Sequence, residues 1–103
     1  MKRTEVVIAL FLAIGLWAGI ALAADAGAGK AKAGSCAGCH GANGEGRGPA
    51  GPPITNMGEA KFVAAMQDYK SGKRANAPMK SVSAGLSDTD FQNLAAYYAS
   101  LKK

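Results

Sequence analysis

Material for a β-sheet is scarce. From residue 24 onward only Ile54, Thr55, Val63, Val82 and Thr89 are β-branched, too few for a sandwich, a barrel or a βαβ enzyme. Aromatics over the same stretch are limited to Phe62, Tyr69, Phe91, Tyr97 and Tyr98, because Trp17 and Phe11 lie earlier in the chain. The chain has a single histidine, His40, and two cysteines, Cys36 and Cys39. Zinc and iron–sulfur sites normally want four protein ligands, so with two cysteines and one histidine they are the weaker reading. No nucleophile triad, paired-carboxylate constellation or phosphate loop argues for an independent enzyme, so no catalytic residue is expected. At 103 residues there is room for one domain. Glycine, by contrast, is abundant, with 14 in the chain, a heavy entropic load for a small fold. So little to bury calls for a staple of some kind.

The first residues have the layout of an export leader. Met1-Lys2-Arg3 is a short basic start, Val6 to Ile20 is apolar, and Ala21-Leu22-Ala23 is an A-x-A-like cleavage site. Residues 1–23 are read as a signal peptide and 24–103 as the domain. The 19 uncharged residues from Val6 to Ala24 are close to the ~20 that span a bilayer, so an uncleaved anchor is the alternative. Either way the domain is exported, to the periplasm if the leader is bacterial. A membrane association is expected only if the leader stays attached.

Past the leader, Ala24 to Ser35 reads as a short helix weakened by Gly27, Gly29 and Gly34. Cys36 to Pro53 reads as a glycine- and proline-rich loop. Glu59 to Ser71 is a better helix, with Phe62, Ala65, Met66 and Tyr69 on one face and Gly72 as a stop. Lys73 to Gly85 reads as loop again, broken by Pro78. Ser87 to Leu101 is the clearest helix, opening on Ser87 and Asp90 as a near capping box and carrying the stripe Phe91, Leu94, Ala95, Tyr98, Leu101. The expected fold is all-α, with about three helices tied by two long loops. Loops of that length argue against a compact fold unless something large sits between them.

Cys36-Ala37-Gly38-Cys39-His40 supplies that object. C-x-x-C-H is the spacing of covalent c-type haem attachment. Two cysteines three apart on one turn put both sulfurs on one side, where they reach the two vinyl groups. The next residue, His40, is aimed at the iron. A plain disulfide is the weaker reading, since it needs no histidine and closes too small a loop to stabilise much. A thioredoxin-like dithiol needs a βαβ context that is missing.

The second iron ligand follows by elimination. With one histidine, bis-histidine ligation is impossible within the chain, which leaves Met57, Met66 and Met79 as soft donors. Met66 lies on the Phe62/Tyr69 stripe, where a methionine is usually core. Met57 follows His40 by only 17 residues. Met79, 39 residues on and next to Pro78, has chain enough to reach the opposite side and is the expected ligand. Met57, and an open or lysine-bound position, remain alternatives.

At these residues the chain resembles small bacterial class I cytochromes c. The resemblance rests on C-A-G-C-H, G-A-N-G-E-G, G-P-A-G-P-P-I, F-V-A-A-M-Q-D-Y-K-S-G-K-R, N-A-P-M and L-S-D-T-D-F-Q-N-L-A-A-Y-Y-A-S-L. It covers almost the whole domain, and is nearest to high-potential single-haem domains and to the cytochrome subunit of flavocytochrome c sulfide dehydrogenase. The resemblance implies one haem c, attached through Cys36 and Cys39, with iron held by His40 and Met79. It also implies that a proline carbonyl at Pro52 or Pro53 accepts the other ring N–H of His40. The first helix should cross the last, and Gly27 or Gly29 against Tyr97 or Tyr98 is the expected contact.

A closed His/Met site favours electron transfer over ligand chemistry. The expected function is a periplasmic one-electron carrier. The alternative is the haem subunit of a flavoprotein sulfide dehydrogenase, and a ligand-binding or peroxidatic haem protein is a third option that requires Met79 off the iron. Lys70, Lys73, Arg74 and Lys80 surround Met79 in sequence and would steer acidic redox partners. Export and a net charge of only +5 disfavour nucleic acid.

Overall fold

The computed structural model describes residues 24–102. The expected leader, residues 1–23, lies outside the described residues. Within them the chain is all helical, and no helix is long and apolar enough to cross a membrane. Five helices follow in order: α1 (Ala26–Lys32), α2 (Gly34–His40), α3 (Glu59–Ser71), α4 (Ala77–Ala84) and α5 (Asp88–Ser100). α1 packs on α5, α5 on α3, and α3 on α4.

The two long amphipathic helices lie where their periodicity places them. α3 buries Phe62, Ala65 and Met66 and stops at Gly72, which takes a left-handed φ of 84°. α5 buries Phe91, Leu94, Ala95 and Tyr98. Its start is a full capping box, in which Ser87 Oγ accepts the Asp90 N–H at 3.1 Å and Asp90 Oδ2 accepts the Ser87 N–H at 2.9 Å. The shorter Asp thus does the work of the usual Glu or Gln. Phe62, Met66, Phe91, Leu94, Ala95 and Tyr98, with Ala33, Cys36 and Leu86, form one core.

Three expectations need correction. The first helix is two, because the chain turns at Ala33, which ends α1 and starts α2. Cys36 to His40 is the end of α2 rather than the start of a loop. Its glycines are tolerated because Gly34 and Gly38 have open space beside them and the helix is held by the buried Cys36 and His40. Lys73 to Gly85 is not all loop either. Asn76 caps α4 by accepting the Met79 N–H on its Oδ1 at 3.1 Å, and Pro78 occupies the first turn. A proline there removes no helical hydrogen bond, since that N–H has no partner in any case.

α1 crosses α5 as expected, but against a different partner. Gly29 is buried on the backbone of Asn93 and Leu94, where any Cβ would collide with the Asn93 carbonyl. Neither Tyr97 nor Tyr98 is the contact. The Asp25 N–H adds a hydrogen bond to Asn93 Oδ1 at 2.8 Å. With no side chain at Gly29 the two helices approach backbone to backbone, and no large residue is needed between them.

Candidate functional site

A cleft of about 350 Å³ opens between α2, the 41–58 loop, α3 and the start of α4. That is the size of a ligand site rather than a packing defect. Its lining brings together Cys36, His40, Pro52, Pro53 and Met79 from three separate stretches of chain. Cys39 is exposed and lies one residue from His40 on the same short helix. Phe62, Ala65, Ile54 and Tyr69 supply apolar wall. Both cysteines are free thiols in this conformation, so no disulfide closes the segment. Burial pushes the Cys36 thiol up from its ordinary range, with the nearby Tyr98 and Ser35 hydroxyls acting against it.

His40 is buried at the end of α2 and its Nδ1 lies 2.6 Å from the Pro52 carbonyl oxygen. A carbonyl only accepts, so Nδ1 carries a proton, and in the neutral ring the lone pair is then on Nε2. Of the two prolines left open by the resemblance, the partner is Pro52; Pro53 lines the cleft without that bond. The loop that delivers Pro52 is pinned beside the helix. The Gly46 N–H donates to the His40 carbonyl at 2.6 Å, the Arg47 N–H to the Gly51 carbonyl at 2.8 Å, and the Arg47 guanidinium to the Gly38 carbonyl at 3.2 Å. Gly51 lies on the Cys39 backbone so closely that no side chain fits there.

All three candidate thioethers line the cleft. Met66 is 4% exposed and belongs to the core, whereas Met57 and Met79 are half-buried at its margin. Met79 sits in the first turn of α4, and its backbone is tied down by Asn76. Asn76, Arg74, Pro49 and Ala50 also line the cleft; the sequence alone assigns none of them a role at the site, Arg74 being expected only to steer partners and the others only to lie in loop segments that carry the resemblance. The basic residues near Met79 divide. Arg74 lies over the Tyr69 ring at 5.1 Å, while Lys70 turns away to the Leu86 carbonyl at 2.5 Å and lies 5.7 Å from the centre of the Phe91 ring. Lys73 and Lys80 remain exposed.

The donor set suits a haem better than a bare ion. Among the described residues no three His, Cys, Asp or Glu side chains gather to hold a metal. A haem brings four nitrogen ligands of its own and asks the chain for only one or two more, which an imidazole or a thioether of this lining could supply. An apolar cleft beside the Cys36–Cys39 turn also suits a flat, largely apolar ring attached along one edge.

Comparison with known proteins agrees with this chemistry. The family model described as Cytochrome c matches residues 24–102. Cytochrome c4 of Pseudomonas aeruginosa is 40% identical over 98 residues, covering 95% of this chain and 49% of that protein. Cytochrome c-554(548) of Halomonas halodenitrificans is 38% identical over 81 residues, covering 76% of this chain and 98% of that protein. Cytochrome c-553 of Helicobacter pylori is 40% identical over 74 residues, covering 71% and 77%. The chain spans about half the length of the cytochrome c4 relatives it matches.

Proposed function

The chain belongs to the cytochrome c family, with haem c as its covalently attached cofactor, and from that premise we propose that it is an exported one-electron carrier of the periplasm. In this reading Cys36 and Cys39 would attach the haem, and His40 and Met79 would hold its iron. The chemistry supplied by the group when bound is one-electron exchange between ferric and ferrous iron.

What the chain contributes is orientation and seclusion. The Pro52 carbonyl holds His40 in the tautomer that leaves Nε2 basic and free. That bond is the observation that carries the reading, because it readies a histidine for ligation at the wall of a cleft rimmed by thioethers. Phe62, Ala65 and Ile54 keep water from the wall, which favours the less charged, reduced state. Asn76 anchors the turn that bears Met79. With Met79 as well as His40 holding the iron, oxygen or peroxide would find no open position there, which would suit electron exchange rather than ligand chemistry.

Arg74 at the cleft, with Lys73 and Lys80 exposed nearby in sequence, favours acidic redox partners, with association slowing as salt rises. Lys70 is instead engaged by its bond to Leu86. The flavoprotein-subunit alternative has only the sequence resemblance behind it: the relatives described above are named as c4, c-554 and c-553 cytochromes, and nothing in the fold favours a permanent flavoprotein dock.

The deciding experiment is the visible spectrum of protein matured in a periplasm, oxidised and then reduced with dithionite. A c-type reduced band together with the weak far-red ferric band of a methionine–iron bond is expected. A haem spectrum lacking the far-red band would return the site to ligand-binding or peroxidatic chemistry.

A further inference from the structure

One buried group has no place in the site as described so far. Tyr98 is 1% exposed, and its hydroxyl has no hydrogen-bond partner among the described residues. Its ring is well held, 5.8 Å from the Phe62 ring and 5.1 Å from the Tyr97 ring, and it lies against Gly44. A phenylalanine would fill the same space without the cost of burying an unpaired hydroxyl. Cys36, whose side chain lines the cleft, lies close enough to act on the phenol, yet the two do not meet in hydrogen-bonding geometry.

We propose that Tyr98 is a positioning residue for the haem: once the Cys36 sulfur is a thioether, the Tyr98 hydroxyl donates to it and holds the reduction potential up. The proposal rests on haem attachment at Cys36. A thiol can act as donor or acceptor, but a thioether keeps only its lone pairs. Attachment therefore leaves one possible direction, from the phenol to the sulfur. Burial, with the neighbouring Cys36 adding to it, pushes the phenol far above the usual tyrosine range, so it stays protonated and able to donate. The positive end of the O–H dipole then points at the attached edge of the ring. It disfavours the extra positive charge of the ferric state, which raises the potential.

The test compares matured wild type with Tyr98→Phe by voltammetry and chemical unfolding. The variant is expected to keep its covalent haem and to show a lower potential. The shift should be several-fold in the redox equilibrium and below the 59 mV that a tenfold change represents for one electron. A purely structural role predicts an unmoved potential and equal or greater stability, because the variant removes an unpaired hydroxyl. That result, with attachment intact, would overturn the proposal.

Repeating the substitution in a Cys36→Ala background, where the haem hangs on Cys39 alone, should abolish the shift. An equal shift there would assign the effect to another acceptor and overturn it too. Proton NMR of the ferrous wild type needs no variant. A slowly exchanging phenol proton close to the Cys36 thioether bridge is expected, and its absence counts against the proposal. If haem peptides of the wild type carry no bond at Cys36, the attachment itself is wrong and this inference falls with it.

Discussion

Gly29 in α1 rests on the main chain of Asn93 in α5, with no space for even a methyl group between them. The contact joins the start of the described chain to its last helix, across 64 residues of sequence. Gly29→Ala should therefore destabilise the holoprotein by about 1–3 kcal/mol, as overpacking does. In an open helix the same change would gain up to ~1 kcal/mol. Gly34→Ala, where nothing lies near the added carbon, should be neutral or mildly stabilising. Denaturant midpoints of the two variants decide; equal effects would mean the crossing is looser than described.

The three methionines should separate by readout. Met79→Ala is expected to lose the far-red ferric band, lower the potential and admit carbon monoxide to the reduced protein. Met66→Ala should keep the band but lose about 2–5 kcal/mol of stability, since Met66 is 4% exposed in the core. Met57→Ala should keep both the band and most of the stability. Retention of the band in Met79→Ala would move the ligand to one of the other two.

Attachment should govern folding. The core consists of a few side chains from α3 and α5, with Ala33, Cys36 and Leu86 beside an open cleft. Cys36→Ala or Cys39→Ala should leave the haem singly attached or lost, and the apo chain should be largely unfolded by circular dichroism. A compact apo protein with cooperative unfolding would show that the polypeptide suffices on its own.

The cap of α5 should weaken in acid. The Asp90 carboxyl is held below its ordinary 3.8, first by the Ser87 N–H and then by the Ser87 hydroxyl and the distant charges of Lys32 and Lys70. A depressed carboxylate pKa contributes stability that is complete above the unfolded value and fades as pH falls through the folded one. Wild type should therefore lose stability below about pH 4 more steeply than Asp90→Asn, measured by unfolding midpoints between about pH 5 and pH 2. Ser87→Ala should cost about 1 kcal/mol at neutral pH. Parallel acid profiles would remove Asp90 from the cap.

What could be read from the sequence is what depends on neighbours in the chain. The Cys36–His40 spacing, the 3.6-residue stripes of α3 and α5, the Gly72 stop and the Ser87–Asp90 box are all local patterns. Helical geometry turns each into structure with no help from distant residues. α2 and α4 went unseen because both are short: glycine marks one and Pro78 the other as irregular, and their stability comes from packing against elements far off in sequence.

The choice of Pro52 over Pro53, the gathering of Met57, Met66 and Met79 on one cleft, and the backbone contact of Gly29 with Asn93 were decided only in three dimensions. So was the solitary hydroxyl of Tyr98, which periodicity identified simply as core. Each of these depends on where a carbonyl or a hydroxyl points after loops of ten residues or more have closed. The side-chain pattern along a chain does not encode that direction; the packing of helices around a common site does.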